Sequence, residues 1–280
     1  MKKIAVALRG HERHSFDNKN LHDHLKNLSN FFDLDIYIHT WNESEAKASW
    51  RPVSKIRKEI NENIVQQYFE GLNVKKIIVE NDEDVQLHGR KNGLMGRIKK
   101  IECSKEILEK ILLEEIGEWA QNHRLKTYLS SSHYDIFVEV GCPIIGWKKM
   151  WHGIYTIIKC ISDFDINYDG ILNCRLDILN YTNNPLYKNN KEFPQVDLGL
   201  TINLINSFLK QKKILFIKDT NCMCIDNIYI GSVKNILQLS EKFHYNLDDV
   251  LEEHKIEEWT ANQEKLVFLQ AKKISEVLHI

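Results

Sequence analysis

An arginine and an aspartate lie two residues apart at the end of a short apolar stretch that is typical of a buried strand. The run Gly170–Cys174 is largely apolar, and Arg175 and Asp177 follow it. Residues two apart on a strand point to the same face of a sheet, so both charged side chains would meet one ligand. The guanidinium suits a diphosphate, and the carboxylate suits a divalent cation. The alternative is an ion pair that caps the strand at the surface.

A second candidate is the segment Arg9–Arg13, which contains Gly10 and follows the apolar run Ile4–Leu8. A strand that leads into a turn with a glycine and two arginines is suited to cradle a phosphate or a nucleotide. The segment has neither the GxGxxG of a dinucleotide site nor the GK[ST] of a P-loop. An ordinary strand-to-helix turn with solvent-facing arginines is the alternative.

Three further segments carry groups that could do chemistry. Asp226 heads the segment Ile225–Ser232, where its carboxylate would either project into a cleft or cap the start of a helix. Cys222 and Cys224 form a CxC pair, but no other ligands are near in sequence to complete a zinc site. The basic segment His88–Gly93 is either a lid over a phosphate or a solvated connection.

The surrounding pattern predicts a sheet that would hold these residues at strand ends. Short apolar runs predict strands, and apolar positions at helical spacing predict helices between them. The predicted strands are 4–8, 35–40, 75–80, 134–140, 170–174 and 213–218, and the predicted helices are 20–32, 99–129, 148–161, 200–209, 233–243, 247–256 and 257–280. Strands that alternate with helices indicate an α/β fold with a mostly parallel, Rossmann-like sheet, whose ligands gather outside the carboxyl ends of the strands.

Composition limits the class of protein. The chain has 280 residues and a formal net charge of −1, so no overall positive field would attract nucleic acid. No apolar stretch reaches the ~18–20 residues that a membrane-spanning helix needs. The six cysteines, interpreted as free thiols, and the lack of a secretion signal indicate a reducing, cytoplasmic setting.

Four parts of the chain stand out together: IAVALRGHERHSF, DLDIYIHTWN, the pair KKMWHGIYTIIKCI and YDGILNCRLDIL, and IDNIYIGS. In this order they resemble a family of bacterial surface-polysaccharide glycosyltransferases with a GT-A-like fold. The nearest named group is the WavE-like group of lipopolysaccharide biosynthesis. The similarity touches most of the chain and is weak over 43–130 and 178–220. Its specificity comes from the order of the parts, since each part alone is only moderately specific.

The resemblance implies transfer of a sugar from a nucleotide-sugar donor to a capsule or lipopolysaccharide glycan, with a glycan or a lipid-linked glycan as acceptor. It implies one domain over 1–280, with a donor half at 1–177 and an acceptor half at 178–280. The implied donor contacts are Arg9, Gly10, Arg13, His39, Thr40, Trp41, Arg175 and Asp177. Asp226 would serve the acceptor side, as a base if the enzyme inverts, and the loop 180–199 would help to define the acceptor. The implied place is the cytoplasm, with peripheral association at the inner face of the inner membrane.

The resemblance also raises the question of a metal. Enzymes with this fold keep a metal-binding DxD where this chain has Arg175-Leu176-Asp177. Asp177 alone would then hold Mg²⁺ or Mn²⁺ together with the sugar diphosphate, or Arg175 would take over part of the charge neutralisation.

Two other functions fit the same residues. One is phosphoryl or phosphosugar transfer onto a polysaccharide, with the arginines as phosphate clamps. The other is a non-catalytic nucleotide-binding or assembly protein, held on a synthase complex by its C-terminal helix.

Overall fold

The computed structural model describes residues 1–46, 57–91, 94–102, 128–129, 135–180, 196–218, 224–254 and 263–280. Its strands are β1 (Lys3–Arg9), β2 (Asp33–Trp41), β3 (Val74–Glu80), β4 (Leu94–Glu102), β5 (Tyr128–Leu129), β6 (Asp135–Pro143), β7 (Gly170–Arg175), β8 (Ile214–Phe216), β9 (Ile228–Gly231) and β10 (Val277–His279). Its helices are α1 (Asn20–Leu28), α2 (Glu62–Tyr68), α3 (Ile144–Asp163), α4 (Leu198–Gln211), α5 (Val233–Glu253) and α6 (Gln263–Ile274), with a 3₁₀ turn at Ser15–Asp17.

Seven strands form one sheet in the order β10-β8-β9-β7-β1-β2-β3. Neighbours are parallel except at β9, which is antiparallel to both β7 and β8. The chain steps outward from β1 to β2 and β3 and then places β7 on the other side of β1. The strand order therefore reverses between β1 and β7, and ligands of open α/β sheets bind outside the carboxyl ends of strands at such a point.

The core lies in two layers, one on each face of this sheet. Alternate residues of β1 face opposite layers, because successive side chains of a strand point to opposite faces. Ala5 and Ala7 pack with α3, α5 and α6, whereas Ile4, Val6 and Leu8 pack with α1, α2 and α4. The small side chains of Ala5 and Ala7 leave room for bulky groups of α3 on their face. The predicted α/β fold with a mostly parallel sheet flanked by helices is confirmed.

A second sheet has three antiparallel strands in the order β4-β6-β5. It corrects the predicted helix at 99–129, because 94–102 and 128–129 are strands; 103–127 lie outside the described residues. β4 was missed because it is defined by pairing with the distant β6 (Lys99 opposite Val138), which a local window does not detect. The predicted strand at 134–140 is confirmed by β6.

The C-terminal prediction is corrected in two places. The helix predicted over 257–280 ends at Ile274, and Val277–His279 instead adds a parallel strand beside β8. The two helices predicted at 233–243 and 247–256 form one helix, α5, which is interrupted by non-helical backbone at Asn246. Ser232 begins α5 by accepting a hydrogen bond from the backbone N–H of Asn235.

Candidate functional site

The predicted site residues lie at one edge of the main sheet. β1, β2 and β7 are parallel and end at this edge, and Arg9 is the register partner of both His39 on β2 and Arg175 on β7. β9 runs the other way, so Asp226, two residues before its first residue, lies at the same edge. Topology therefore brings together groups from four strands around the β1/β7 switch point.

Two arginines converge on one buried carboxylate at this point. Arg175 donates from Nε to Oδ1 of Asp177 at 2.7 Å and makes a second contact to Oδ2 from Nη2, a bidentate pair. Arg13 donates from Nη1 to the same Oδ2 at 3.1 Å. Asp177 is only 4% exposed and lies in the turn after β7. Arg175 also donates to Oδ1 of Asn227 at 2.9 Å. We call Arg13, Arg175 and Asp177 the arginine cluster.

The Arg175–Asp177 pair is thus more than the surface ion pair that the sequence left as an alternative. The arginine cluster carries two positive charges and one negative charge, and the pair is largely shielded from water. Glu45 lies nearby and forms an ion pair with Arg13. Burial raises the pKa of the Glu45 carboxyl group, although the positive charge of Arg13 opposes this shift. A diphosphate bound here would meet planar donors that suit its oxygens.

The loop that presents Arg13 has unusual backbone geometry. Gly10, Arg13 and His14 all have positive φ, at 98°, 45° and 66°. Gly10 adopts this conformation at no steric cost, whereas it is strained for the other two residues, and such strain is concentrated at functional sites. The backbone N–H of Gly10 donates to the carbonyl of His39, and the Thr40 hydroxyl donates to the carbonyl of Gly10. These bonds fix the loop to the end of β2.

Arg9 and Asp226 lie deeper than the sequence suggested. Arg9 is 2% exposed, burial lowers its pKa, and its Nη2 donates to the backbone carbonyl of Asp226 at 2.8 Å. The Asp226 side chain is 5% exposed and accepts a hydrogen bond from Gln263 at 2.8 Å. Asp226 precedes a strand, so the helix-capping alternative is wrong. Direct ligand contact by Arg9 and base catalysis by Asp226 stay predictions.

His39 belongs to a group with two residues that the sequence did not single out, Glu80 and His152. Its Nε2 lies 2.7 Å from Oε2 of Glu80, and Nε2 of His152 lies 2.9 Å from the same oxygen. These hydrogen bonds hold the pKa of Glu80 well below its usual range. The sequence could have indicated Glu80, because its carboxylate lies at the end of a predicted strand. It gave no indication of His152, which lies among the apolar residues of a predicted helix.

Trp41 is buried and forms one side of this histidine group. Its ring is edge-on to His39 at 4.9 Å between centroids and stacks with His11 at 5.8 Å. Burial, with the positive charge of Arg13, lowers the pKa of His11 to about 3. Trp41 is therefore enclosed, and a donor contact by its ring stays a prediction.

The fit of a metal to Asp177 can be judged from its hydrogen bonds. Both carboxylate oxygens already accept from guanidinium groups, so an ion there would have to share them with Arg13 and Arg175. Within the described parts of the chain, the group of side chains close enough to share one ion is His39, Glu80 and His152, without Asp177. Charge neutralisation by arginine, the second option that the sequence left open, stays a prediction.

Two large aromatic residues of α3 belong to the core, and some of the predicted features lie outside the described residues. Trp147 and Trp151 are buried, and Trp151 stacks on Phe243 at 4.1 Å, so both belong to the core. Residues 181–195 of the predicted acceptor loop, and Cys222 of the CxC pair, lie outside the described residues. None of the described helices has the length and apolarity to cross a bilayer.

Comparison with known proteins gives little guidance. No protein-family model matches the chain, and no curated protein matches it. Among solved structures, the chain is similar to an active-site mutant of LgtC, with 10% identity, coverage of 99% of this chain and 72% of the LgtC chain, and a TM-score of 0.37. A likeness of this size does not identify an activity.

Proposed function

We propose that this chain is a nucleotide-sugar-dependent glycosyltransferase whose donor diphosphate binds at the arginine cluster. The sequence resemblance to surface-polysaccharide glycosyltransferases supports the activity, and the position of the cluster at the β1/β7 switch point supports the binding site. The observation that carries the proposal is the convergence of Arg13 and Arg175 on Asp177 at this point.

Charge explains how the cluster would serve this reaction. The leaving nucleoside diphosphate gains negative charge as the glycosidic bond breaks, and fixed cations near that charge lower the barrier. Arg13 is the more exposed of the two arginines, with 21% of its side chain accessible against 14% for Arg175, which contacts both Asp177 and Asn227. Arg13 would therefore turn to the diphosphate, while Arg175 and Asp177 keep their geometry.

Asp226 is the proposed acceptor-side residue, as the base that takes the proton of the acceptor hydroxyl. By resemblance, the acceptor is a glycan or lipid-linked glycan of a bacterial surface polysaccharide, met in the cytoplasm at the inner membrane. Residues 1–177 would supply the donor half of the site and residues 178–280 the acceptor half.

One observation favours a second candidate, a non-catalytic nucleotide-binding protein. The Asp226 carboxylate is buried and accepts a hydrogen bond from Gln263, which leaves little access for an acceptor. Both candidates expect nucleotide binding at the arginine cluster. Only the transferase expects turnover, and only it expects Asp226→Asn to abolish that turnover.

A thermal-shift panel tests nucleotide binding. The full chain is heated with UDP, GDP, CMP, CDP or ADP, each with and without Mn²⁺. A ligand that binds only the folded state stabilises it by about 2.7 kcal/mol at a hundred times Kd. We expect a selective shift that does not require Mn²⁺, that is reduced in Arg13→Gln and that persists in Lys159→Gln, a control that alters an exposed ion pair with Asp163. No shift with any nucleotide would contradict both candidates.

A further inference from the structure

The histidine group beside the arginine cluster has a geometry of its own. It joins three elements: His39 from β2, Glu80 from the end of β3 and His152 from α3. Both imidazole Nε2 atoms point at one carboxylate oxygen, at 2.7 Å and 2.9 Å. The nearest potential ligand atoms of the three side chains all lie within 4.8 Å of one another. We call these residues the His₂Glu cluster.

The His₂Glu cluster is closed on one side and open on the other. The His39 side chain is fully buried, the His152 side chain is 14% exposed and the Glu80 side chain is 31% exposed. Gly153 lies against the inner side of His39, where a Cβ would come within 2.7 Å of Nδ1. The Trp41 ring stacks with His152 at 6.1 Å. Solvent therefore reaches the cluster from the side of Glu80.

Two buried nitrogen atoms of the His₂Glu cluster have no hydrogen-bond partner within the described part of the protein. With both Nε2 atoms donating to Glu80, the Nδ1 atoms of His39 and His152 are buried and have no hydrogen-bond partner. Two imidazoles and a carboxylate form a donor set that first-row divalent metals prefer.

We propose that the His₂Glu cluster binds a divalent transition metal, of which Zn²⁺ is the best match, with one coordination position left open. Two histidines and one glutamate, together with a water or ligand oxygen, complete a tetrahedral zinc site of the open kind. Tetrahedral Zn²⁺ with bonds of ~2.0–2.1 Å places its ligand atoms roughly 3.3 Å apart. To reach that spacing, Glu80 would withdraw by about half an ångström from each nitrogen, and the two imidazole nitrogens, which lie within 4.8 Å of each other, would adjust to the same separation.

This metal site is independent of the proposed transferase activity. It shares no side chain with the arginine cluster, although the loop that leads to Arg13 is bonded to the end of β2, where the Gly10 N–H donates to the carbonyl of His39. The open position faces solvent beside Glu80, so its occupant is water or an oxygen ligand such as a carboxylate or phosphate. A bound ion would also tie the ends of β2 and β3 to α3.

Metal titration tests the proposal on the full chain. Protein stripped with a chelator is titrated with Zn²⁺ by calorimetry, and bound metal is counted after gel filtration. Co²⁺ serves as a spectroscopic substitute, since its visible absorption reports coordination geometry. We expect one Zn²⁺ per chain, a Zn²⁺-dependent rise in Tm, and tetrahedral Co²⁺ absorption.

Variants locate the site. Glu80→Gln and His152→Gln should each weaken Zn²⁺ binding by about tenfold or more, by analogy with lost ligand support in known sites. His244→Gln is the matched control, because its ring lies 5.5 Å from that of His152 but is not in the cluster. Asp177→Asn should leave Zn²⁺ binding unchanged. Circular dichroism establishes that each variant is folded. Absence of stoichiometric binding in the unmodified chain, or equal affinity in the folded Glu80→Gln and His152→Gln variants, would overturn the proposal.

Discussion

The replacement Gly153→Ala probes how closely α3 approaches β2. A Cβ at Gly153 would lie 2.7 Å from Nδ1 and 2.8 Å from Cε1 of His39. Carbon atoms pack best at ~3.5–4.0 Å, so the helix and the ring must separate by roughly 1 Å. The ring cannot move freely, because it is buried and its Nε2 is held by Glu80.

Two opposing effects set the size of the change. Overpacking of this kind costs about 1–3 kcal/mol. Alanine in place of glycine inside a helix returns ~1 kcal/mol through its better helix propensity. We therefore expect Gly153→Ala to lower the free energy of unfolding by roughly 0–2 kcal/mol. Gly199→Ala in α4 is the matched control, since its nearest contact would be 3.4 Å from Asp197; we expect it to stabilise by about 0.4–1 kcal/mol.

Urea denaturation of both variants measures the difference. A double-mutant cycle isolates the steric clash between the methyl group added at position 153 and the His39 ring. It adds the single variant His39→Ala and the double variant His39→Ala/Gly153→Ala. Without the ring, Gly153→Ala should be neutral or stabilising. The expected coupling between the two positions is about 1–3 kcal/mol. If Gly153→Ala stabilised as much as Gly199→Ala, or if the coupling were near zero, the placement of His39 against α3 would be refuted.

Three further predictions concern the hydrogen bond between Tyr168 and Asp35, the pH dependence of stability, and catalysis by Asp226. Tyr168→Phe removes a hydroxyl that donates to the buried carboxylate of Asp35 at 2.7 Å, and should cost about 1.5–3 kcal/mol in urea denaturation; an unchanged midpoint would contradict the bond. The free energy of unfolding should fall as pH drops from 7 to 4, because burial lowers the pKa of His244 to about 4 in the folded chain. The unfolded chain then takes up a proton near pH 6.5 that the folded chain does not bind. His244→Gln should flatten this pH dependence, and an equally steep profile in the variant would count against the assignment. Asp226→Asn should leave nucleotide binding intact and abolish sugar transfer; retained transfer would exclude Asp226 as the base.

Much of the fold was predictable because its signals are local. Ile4–Leu8 and Gly170–Cys174 are short apolar runs next to turn residues, and the strands they predicted are adjacent and parallel in the sheet. Once parallel strands were expected, the placement of Arg9 and Arg175 at a shared edge followed from topology. Asp226 reached the same edge for another reason, since it precedes a strand that runs antiparallel.

The rest depended on contacts between residues far apart in sequence. β4 and β10 are short or polar, and their partners lie many residues away, so local helical spacing prevailed in the prediction. The His₂Glu cluster was missed for the same reason. His39, Glu80 and His152 belong to three separate elements, and nothing near Glu80 or His152 indicates that an imidazole will meet that carboxylate.

The central claim, that Arg13 and Arg175 receive a diphosphate, is tested most directly by comparing two ligands. Calorimetry gives the affinities of the best-binding nucleoside diphosphate and of its monophosphate, for the unmodified chain and for Arg13→Gln. We expect the diphosphate to bind at least about tenfold more tightly to the unmodified chain, a difference of about 1.4 kcal/mol, and this preference to shrink in the variant. An equal preference in both proteins, or none in the unmodified chain, would contradict a diphosphate site at the arginine cluster.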